Sequence, residues 1–149
     1  MVLGCTEQQL QPAADPEATF RAQVDRQWEL VRLGTSDIPP PPPGTPPDSA
    51  GRDLVPGRRP TIRFTAEPPG FGGRSFCNGY GGPFTIRGDS LRMERIESSG
   101  VGCDGPDSLE TRLFRGLRET RRFELDSSSL VLIAGDGSRL TFVPAMPDR

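Results

Sequence analysis

The sequence predicts an α+β domain, mainly antiparallel β, with a curved sheet or open barrel of about 7–8 strands packed on one α-helix. Three observations predict it. Short runs alternate apolar and polar residues with the two-residue period of half-buried strands. Glycine- and proline-rich punctuation separates those runs, and one longer run repeats leucine every fourth residue, as a helix packed by one face does. The 149 residues include 18 glycines and 17 prolines and are only 33% hydrophobic, a balance that suits one turn-rich β domain with polar appendages.

Residues 1–26 read as a lipoprotein-like N-terminus and tether. Val2-Leu3-Gly4-Cys5 resembles the end of a bacterial lipoprotein signal, in which the cysteine takes the lipid. Only four residues precede Cys5, with neither a charged region nor an apolar stretch, so the chain as written is not exported by that signal. The expected location is the cell envelope, as an anchored lipoprotein or otherwise exported protein, and the cytoplasm if the start is as given. The stretch 6–17 has the polar, acidic character of a flexible linker. Asp15 as N-cap and Pro16 in the first turn predict a short helix, with Phe20 and Val24 on one face.

Gln27–Leu33 is the first strand, with Trp28 and Leu30 on one side and Trp28 read as core. Residues 35–60 form a proline-rich insertion; Pro39–Pro43 lack amide donors and favour polyproline II, so no inner strand lies there. It reads as a stiff surface loop. Ile62, Phe64 and Ala66 alternate against Thr61, Arg63 and Thr65, a strong strand pattern.

Pro68–Gly73 and Gly79–Gly82 lead from no strand into a helix, as a phosphate cradle must, and are read as hairpin turns. Asn78-Gly79 suits a tight turn joining two strands. Phe84 and Ile86 alternate in the next strand. Leu91 and Met93 follow, with Ile96 out of phase, which predicts a bulge near Glu94 and Arg95. Beyond Cys103, Asp104 or Gly105 caps a helix with Pro106 in its first turn. Asp107 and Glu110 lie at its positive end. Leu109, Leu113 and Leu117, widened by Phe114, form its buried stripe. Arg115, Arg118, Arg121 and Arg122 lie at or beyond its negative end and read as a solvated cluster. Phe123–Leu125, Leu130–Ile133 and Arg139–Val143 form a closing meander, with Asp126–Ser129 as one turn and a type I′ signal at Asp136-Gly137. Residues 144–149 are a polar tail.

All 18 basic residues are arginine, and the net charge is −2. Those arginines are interspersed with acids, which argues against nucleic acid as a partner. Without histidine or lysine there is no Ser-His-Asp or Cys-His mechanism, no histidine-held metal and no Schiff base. A carboxylate pair across a cleft is what remains, and no pair of acids stands in an apolar setting that would raise a pKa. The expectation is a protein that is not an enzyme, with no metal or other cofactor. Cys77 and Cys103 have three readings. A metal pair lacks further ligands; two free thiols and a disulfide remain, with the disulfide favoured. It would close a loop of about 27 residues and contribute roughly 3–4 kcal/mol.

The Trp28-Glu29-Leu30 and Ile62-Arg63-Phe64 strands, the glycine-rich run into Cys77-Asn78 and Tyr80, the Ser99–Cys103 segment, Glu110, Leu113-Phe114, Leu117 and the closing hairpin together resemble the META, or HslJ-like, domain family. The resemblance covers residues 27–143. Phe76 stands where that family usually has glycine, Ser99 where it usually has threonine, and the proline-rich insertion is additional. The resemblance implies Trp28, Phe64, Cys77, Asn78, Tyr80, Glu110 and Phe114 as motif residues. It also implies an envelope or stress-associated role and offers no catalytic residues to carry over. Two functions follow as expectations: a monomeric accessory or protein-interaction module, touching the membrane only through a lipid on Cys5, or a binder of a small apolar ligand between sheet and helix. A sizeable apolar pocket beside Trp28, Tyr80 or Phe84 would favour the ligand; a filled core with an exposed apolar patch would favour a protein partner.

Overall fold

The computed structural model describes residues 15–39, 59–76, 78–99 and 109–145. Helix α1 spans Pro16–Ala22 and is capped as its sequence predicts, the Asp15 side chain accepting from the Glu17 amide. The strands follow as β1 (Gln27–Leu33), β2 (Ser36–Asp37), β3 (Thr61–Thr65), β4 (Gly70–Arg74), β5 (Gly79–Gly82), β6 (Thr85–Arg87), β7 (Ser90–Arg92) and β8 (Glu97–Ser98). Helix α2 (Leu109–Glu119) then runs into β9 (Thr120–Leu125), β10 (Leu130–Ala134) and β11 (Arg139–Pro144).

These strands form one 11-stranded antiparallel sheet in the order β6-β7-β9-β10-β11-β1-β3-β4-β5-β8, with β2 paired to β1 off that path. The count exceeds the sequence expectation because β2, β6, β7 and β8 have only two or three residues each, too few to show a period. The chain itself requires the sheet to curl. Laid flat, β7 and β8 would lie about 38 Å apart at ~4.8 Å per strand. The five steps from Arg92 to Glu97 reach at most about 17 Å. The result is a curled half-barrel, and the expected bulge near Glu94 and Arg95 is instead this crossing between opposite ends of the sheet.

The glycine-rich runs are strands, not turns. Gly72 pairs with Gly81 and Gly73 with Tyr80 across β4 and β5. A Cβ on Gly73 would collide with the Thr61 carbonyl, and one on Gly82 with the Arg95 carbonyl, so glycine allows neighbouring backbones to approach where the sheet bends tightly. The turn into β4 occupies residues 66–69, and Ala66 is exposed there rather than continuing the strand pattern. The Asp136-Gly137 turn also departs from type I′, which needs positive φ at both residues: only Gly137 (φ 92°) is positive. Gly137 N–H bonds Ala134 and Ala134 N–H bonds Ser138, the pattern of a turn closed by a glycine bulge.

The concave face holds the core. Trp28, Leu30, Ile62, Leu91, Met93, Leu113, Leu117 and Phe142 are all at most 1% exposed. Phe20 of α1 plugs one end, its ring 4.9 Å from Phe64, 5.5 Å from Phe84 and 5.3 Å from Phe123. This helix lies before the boundary drawn at residue 27 but packs inside the same core. Leu113 and Leu117 bury the α2 stripe as expected, whereas Leu109 is 39% exposed in the first turn described. Its proposed cap, Asp104 or Gly105, and Pro106 of its proposed first turn lie outside the described residues.

Two further differences concern the flanks of the insertion and the tail. Ile38 and Pro60 are buried, and Arg59 ties the two ends together by donating to the Ile38 carbonyl at 2.8 Å and to Glu29 at 3.3 Å. Residues 40–58 lie outside the described residues. β11 continues to Pro144, and the Ala145 amide donates to the Gln27 carbonyl at 2.9 Å, so the first tail residues belong to the sheet. Among the described residues no helix is long and apolar enough to cross a membrane.

Candidate functional site

Four polar side chains converge where the β4–β5 connection meets α2. Ser75 and Asn78 close that connection on themselves. The Ser75 amide donates to the Asn78 carbonyl at 2.7 Å, and the Asn78 amide donates to Ser75 Oγ at 2.9 Å. The two ends of the Glu110 carboxyl group then meet the loop, Oε1 accepting from the Ser75 hydroxyl and Oε2 from the Asn78 amide group. Ser99, just after β8, donates to Asn78 Oδ1 at 2.7 Å. Ser75, Asn78 and Glu110 are respectively 4%, 2% and 8% exposed.

Asn78 lies in the expected turn between two paired strands, and its side chain is buried there. Its side chain connects three separate segments, and burial makes each of those hydrogen bonds costly to lose. Glu110 lies in the first described turn of α2, where an acid is expected, and its carboxyl group also holds the loop.

Aromatic packing reinforces the junction. Tyr80 lies 5.4 Å from Phe114 and 6.2 Å from Phe71, and its hydroxyl donates to the Thr61 carbonyl at 2.7 Å. Burial pushes its phenol far above the ordinary value. Asn78, Tyr80, Glu110 and Phe114 are thus brought together. Trp28 and Phe64 are not among them; they lie by Phe20, with the Arg26 guanidinium 5.0 Å from the Trp28 ring centre. Cys5, Cys77 and Cys103 lie outside the described residues. Ser75 was missed in the sequence, where a single serine after a glycine-rich strand carries no pattern.

Chemically, the junction has a hydroxyl, an amide and a carboxyl group, which hydrogen-bond to one another among the described residues. The described residues contain no group of three or more cysteine, aspartate, glutamate or histidine side chains able to hold a metal. A cleft beneath α1, lined by Phe20, Gln23, Trp28, Phe64, Leu125 and Leu130, has a volume of about 10 Å³, room for about one water molecule. Tyr80 and Phe84 are packed into the core. Leu109 is the exposed large hydrophobic residue among those described, so they present no extended apolar patch.

The remaining arginines at the end of α2 divide by role. Arg121 is half-buried and donates to the Arg118 and Thr120 carbonyls, closing the helix end, while Arg115 and Arg118 are exposed. Arg122 belongs to β9.

The chain belongs to the META domain family, whose model matches residues 21–147. That match begins within α1, six residues before the boundary expected from sequence. The fold is similar to a protein from Burkholderia xenovorans solved by NMR, with TM-score 0.61, 17% identity and coverage of 93% of this chain and 94% of that one. A crystal structure of a DUF4847 family protein from Bacteroides vulgatus matches with TM-score 0.56 and 16% identity, over 86% of this chain and 98% of the other. A further NMR structure gives TM-score 0.57 and 18% identity, over 83% and 92%. At these identities the likeness is one of fold. No curated protein matches the chain.

Proposed function

We propose that this META-domain chain is a non-catalytic accessory module of the cell envelope, anchored by a lipid on Cys5 and cross-linked between Cys77 and Cys103. The observation that supports it best is the mutual hydrogen bonding of Ser75, Asn78 and Glu110, which commits this buried polar cluster to joining sheet and helix. The same geometry suits the cross-link. Ser99 and Glu110 flank Cys103 in sequence, and both bond to Asn78, the neighbour of Cys77.

The module acts through its surface, by contact with another envelope component, under stress as the family resemblance implies. A small apolar ligand is the alternative, and it would require Phe20 to leave its place among Phe64, Phe84 and Phe123.

Intact mass of the protein isolated from its native host, with and without reductant, tests the reading. A diacylglyceryl addition at Cys5 and a gain of two hydrogens on reduction are expected. An unmodified chain with three free thiols would overturn both the address and the cross-link.

A further inference from the structure

We infer that Asn78 is a covalent modification site: release of α2 frees the Asn78-Gly79 pair to deamidate, and the acid formed keeps α2 from closing again.

Asn78 is the chain's single asparagine, and glycine follows it. Glycine is the follower most open to cyclisation, because no side chain hinders the approach of its amide nitrogen to the asparagine side-chain carbonyl. Packing does not demand glycine here. Gly79 lacks a positive φ, and apart from its chain neighbours a Cβ there would meet nothing nearer than the Gly73 carbonyl oxygen at 3.9 Å.

The fold restrains this pair. Cyclisation requires the Asn78 side-chain Cγ to swing onto the Gly79 nitrogen, and the side-chain amide is held at both ends. Nδ2 donates to Glu110 of α2, and Oδ1 accepts from the Ser99 hydroxyl at 2.7 Å. The Asn78 backbone is held by Ser75, its amide donating to Ser75 Oγ at 2.9 Å and its carbonyl accepting from the Ser75 amide at 2.7 Å. At 2% exposure the residue also has little access to the water that the second step consumes. Reaction therefore waits on opening of the junction, where α2 holds the nitrogen that must depart.

The chemistry balances with water alone. The Gly79 nitrogen bonds to Cγ and gives up its proton; the Cγ–Nδ2 bond breaks, and ammonia leaves carrying that proton. Water then opens the ring at either carbonyl, leaving aspartate or isoaspartate. Either product undoes the junction. A carboxylate oxygen replaces the Nδ2 donor and faces the Glu110 carboxyl group, acceptor against acceptor. Isoaspartate also lengthens the backbone where Ser75 and Asn78 close the β4–β5 connection.

The test follows the full chain in mildly alkaline buffer by intact mass, with peptide mapping across residue 78. The folded chain should keep its amide while the urea-unfolded chain loses it, and Gly79→Ala should slow that loss. In native buffer Glu110→Ala should deamidate at least about tenfold faster, because a buried hydrogen bond no longer opposes opening. Glu124→Ala, which removes an acid from β9, should match the unmodified chain. Thermal melts establish that both variants are folded; if Glu110→Ala is not, Ser99→Ala, which frees Oδ1 alone, takes its place. Low urea should leave the faster variant's rate flat, because local opening exposes little surface. Amide exchange in α2 should be faster in the purified deamidated chain than in the unmodified one. Equal rates folded and unfolded, an unslowed Gly79→Ala, a junction variant no faster than Glu124→Ala, a rate that climbs from the first additions of urea, or unchanged α2 exchange after deamidation would each overturn the inference.

Discussion

The rings of Phe20 and Phe64 meet edge to face with centroids 4.9 Å apart, which makes α1 part of the META domain's core. Phe20→Ala should cost about 3–5 kcal/mol, the usual range for emptying a buried phenylalanine site. Removing residues 1–26 should be at least as destabilising. Urea unfolding checks both. A shortened chain as stable as the full one would assign α1 to the tether.

Tyr80 is the chain's single tyrosine, so phenolate absorbance reports on this residue alone. Its buried phenol keeps its proton in the folded chain, while an unfolded chain releases it near the ordinary value of about 10. The unfolded state therefore binds fewer protons above that pH. Stability is full below about pH 10 and should fall above it by up to about 1.4 kcal/mol per pH unit. The absorbance change should coincide with loss of the folded far-ultraviolet signal. Tyr80→Phe should flatten this alkaline limb while costing about 1–2 kcal/mol at neutral pH, through the unpaired Thr61 carbonyl.

Three surface acids, Asp126 and Asp136 exposed and Glu17 partly so, shape the opposite limb. The Ser128 amide, followed by its hydroxyl, holds Asp126 below the ordinary aspartate value; the Ser138 hydroxyl, followed by its amide, does the same for Asp136. The Arg21 guanidinium, followed by the Gly88 amide, lowers Glu17. Depressed folded values mean that the stabilisation is present above the ordinary carboxylate range and lost as pH falls through them. The melting temperature should hold from neutrality to about pH 5 and decline towards about pH 2. Asp126→Asn should make that decline shallower. Melting curves across the range provide the check.

The longer strands were legible because alternation survives over five or more residues. Trp28 and Leu30, Ile62 and Phe64, and Leu130 and Leu132 are buried as their period requires. Asp15 likewise announced α1 through the local chemistry of its cap. What escaped was set by contacts distant in sequence. Gly73 and Gly82 look like turn residues until Thr61 and Arg95 are placed against them. Asn78 next to Gly79 has the composition of a corner, and only the arrival of Glu110, 32 residues later, makes it interior. Ile96 looked out of phase because the chain had left one edge of the sheet for the other. Ser75 gave no local signal because its partners come from a turn and a helix that composition does not connect.

The central claim is that Asn78 and Glu110 hold α2 to the β4–β5 connection, and a double-mutant cycle with Asn78→Ala and Glu110→Ala under urea tests it most directly. Each single change should cost about 2–4 kcal/mol, because it strands the other's buried hydrogen-bonding group. The double variant should be little worse than either, giving a coupling of about 1.5–3 kcal/mol. Additive effects, with coupling below about 0.5 kcal/mol, would contradict the account.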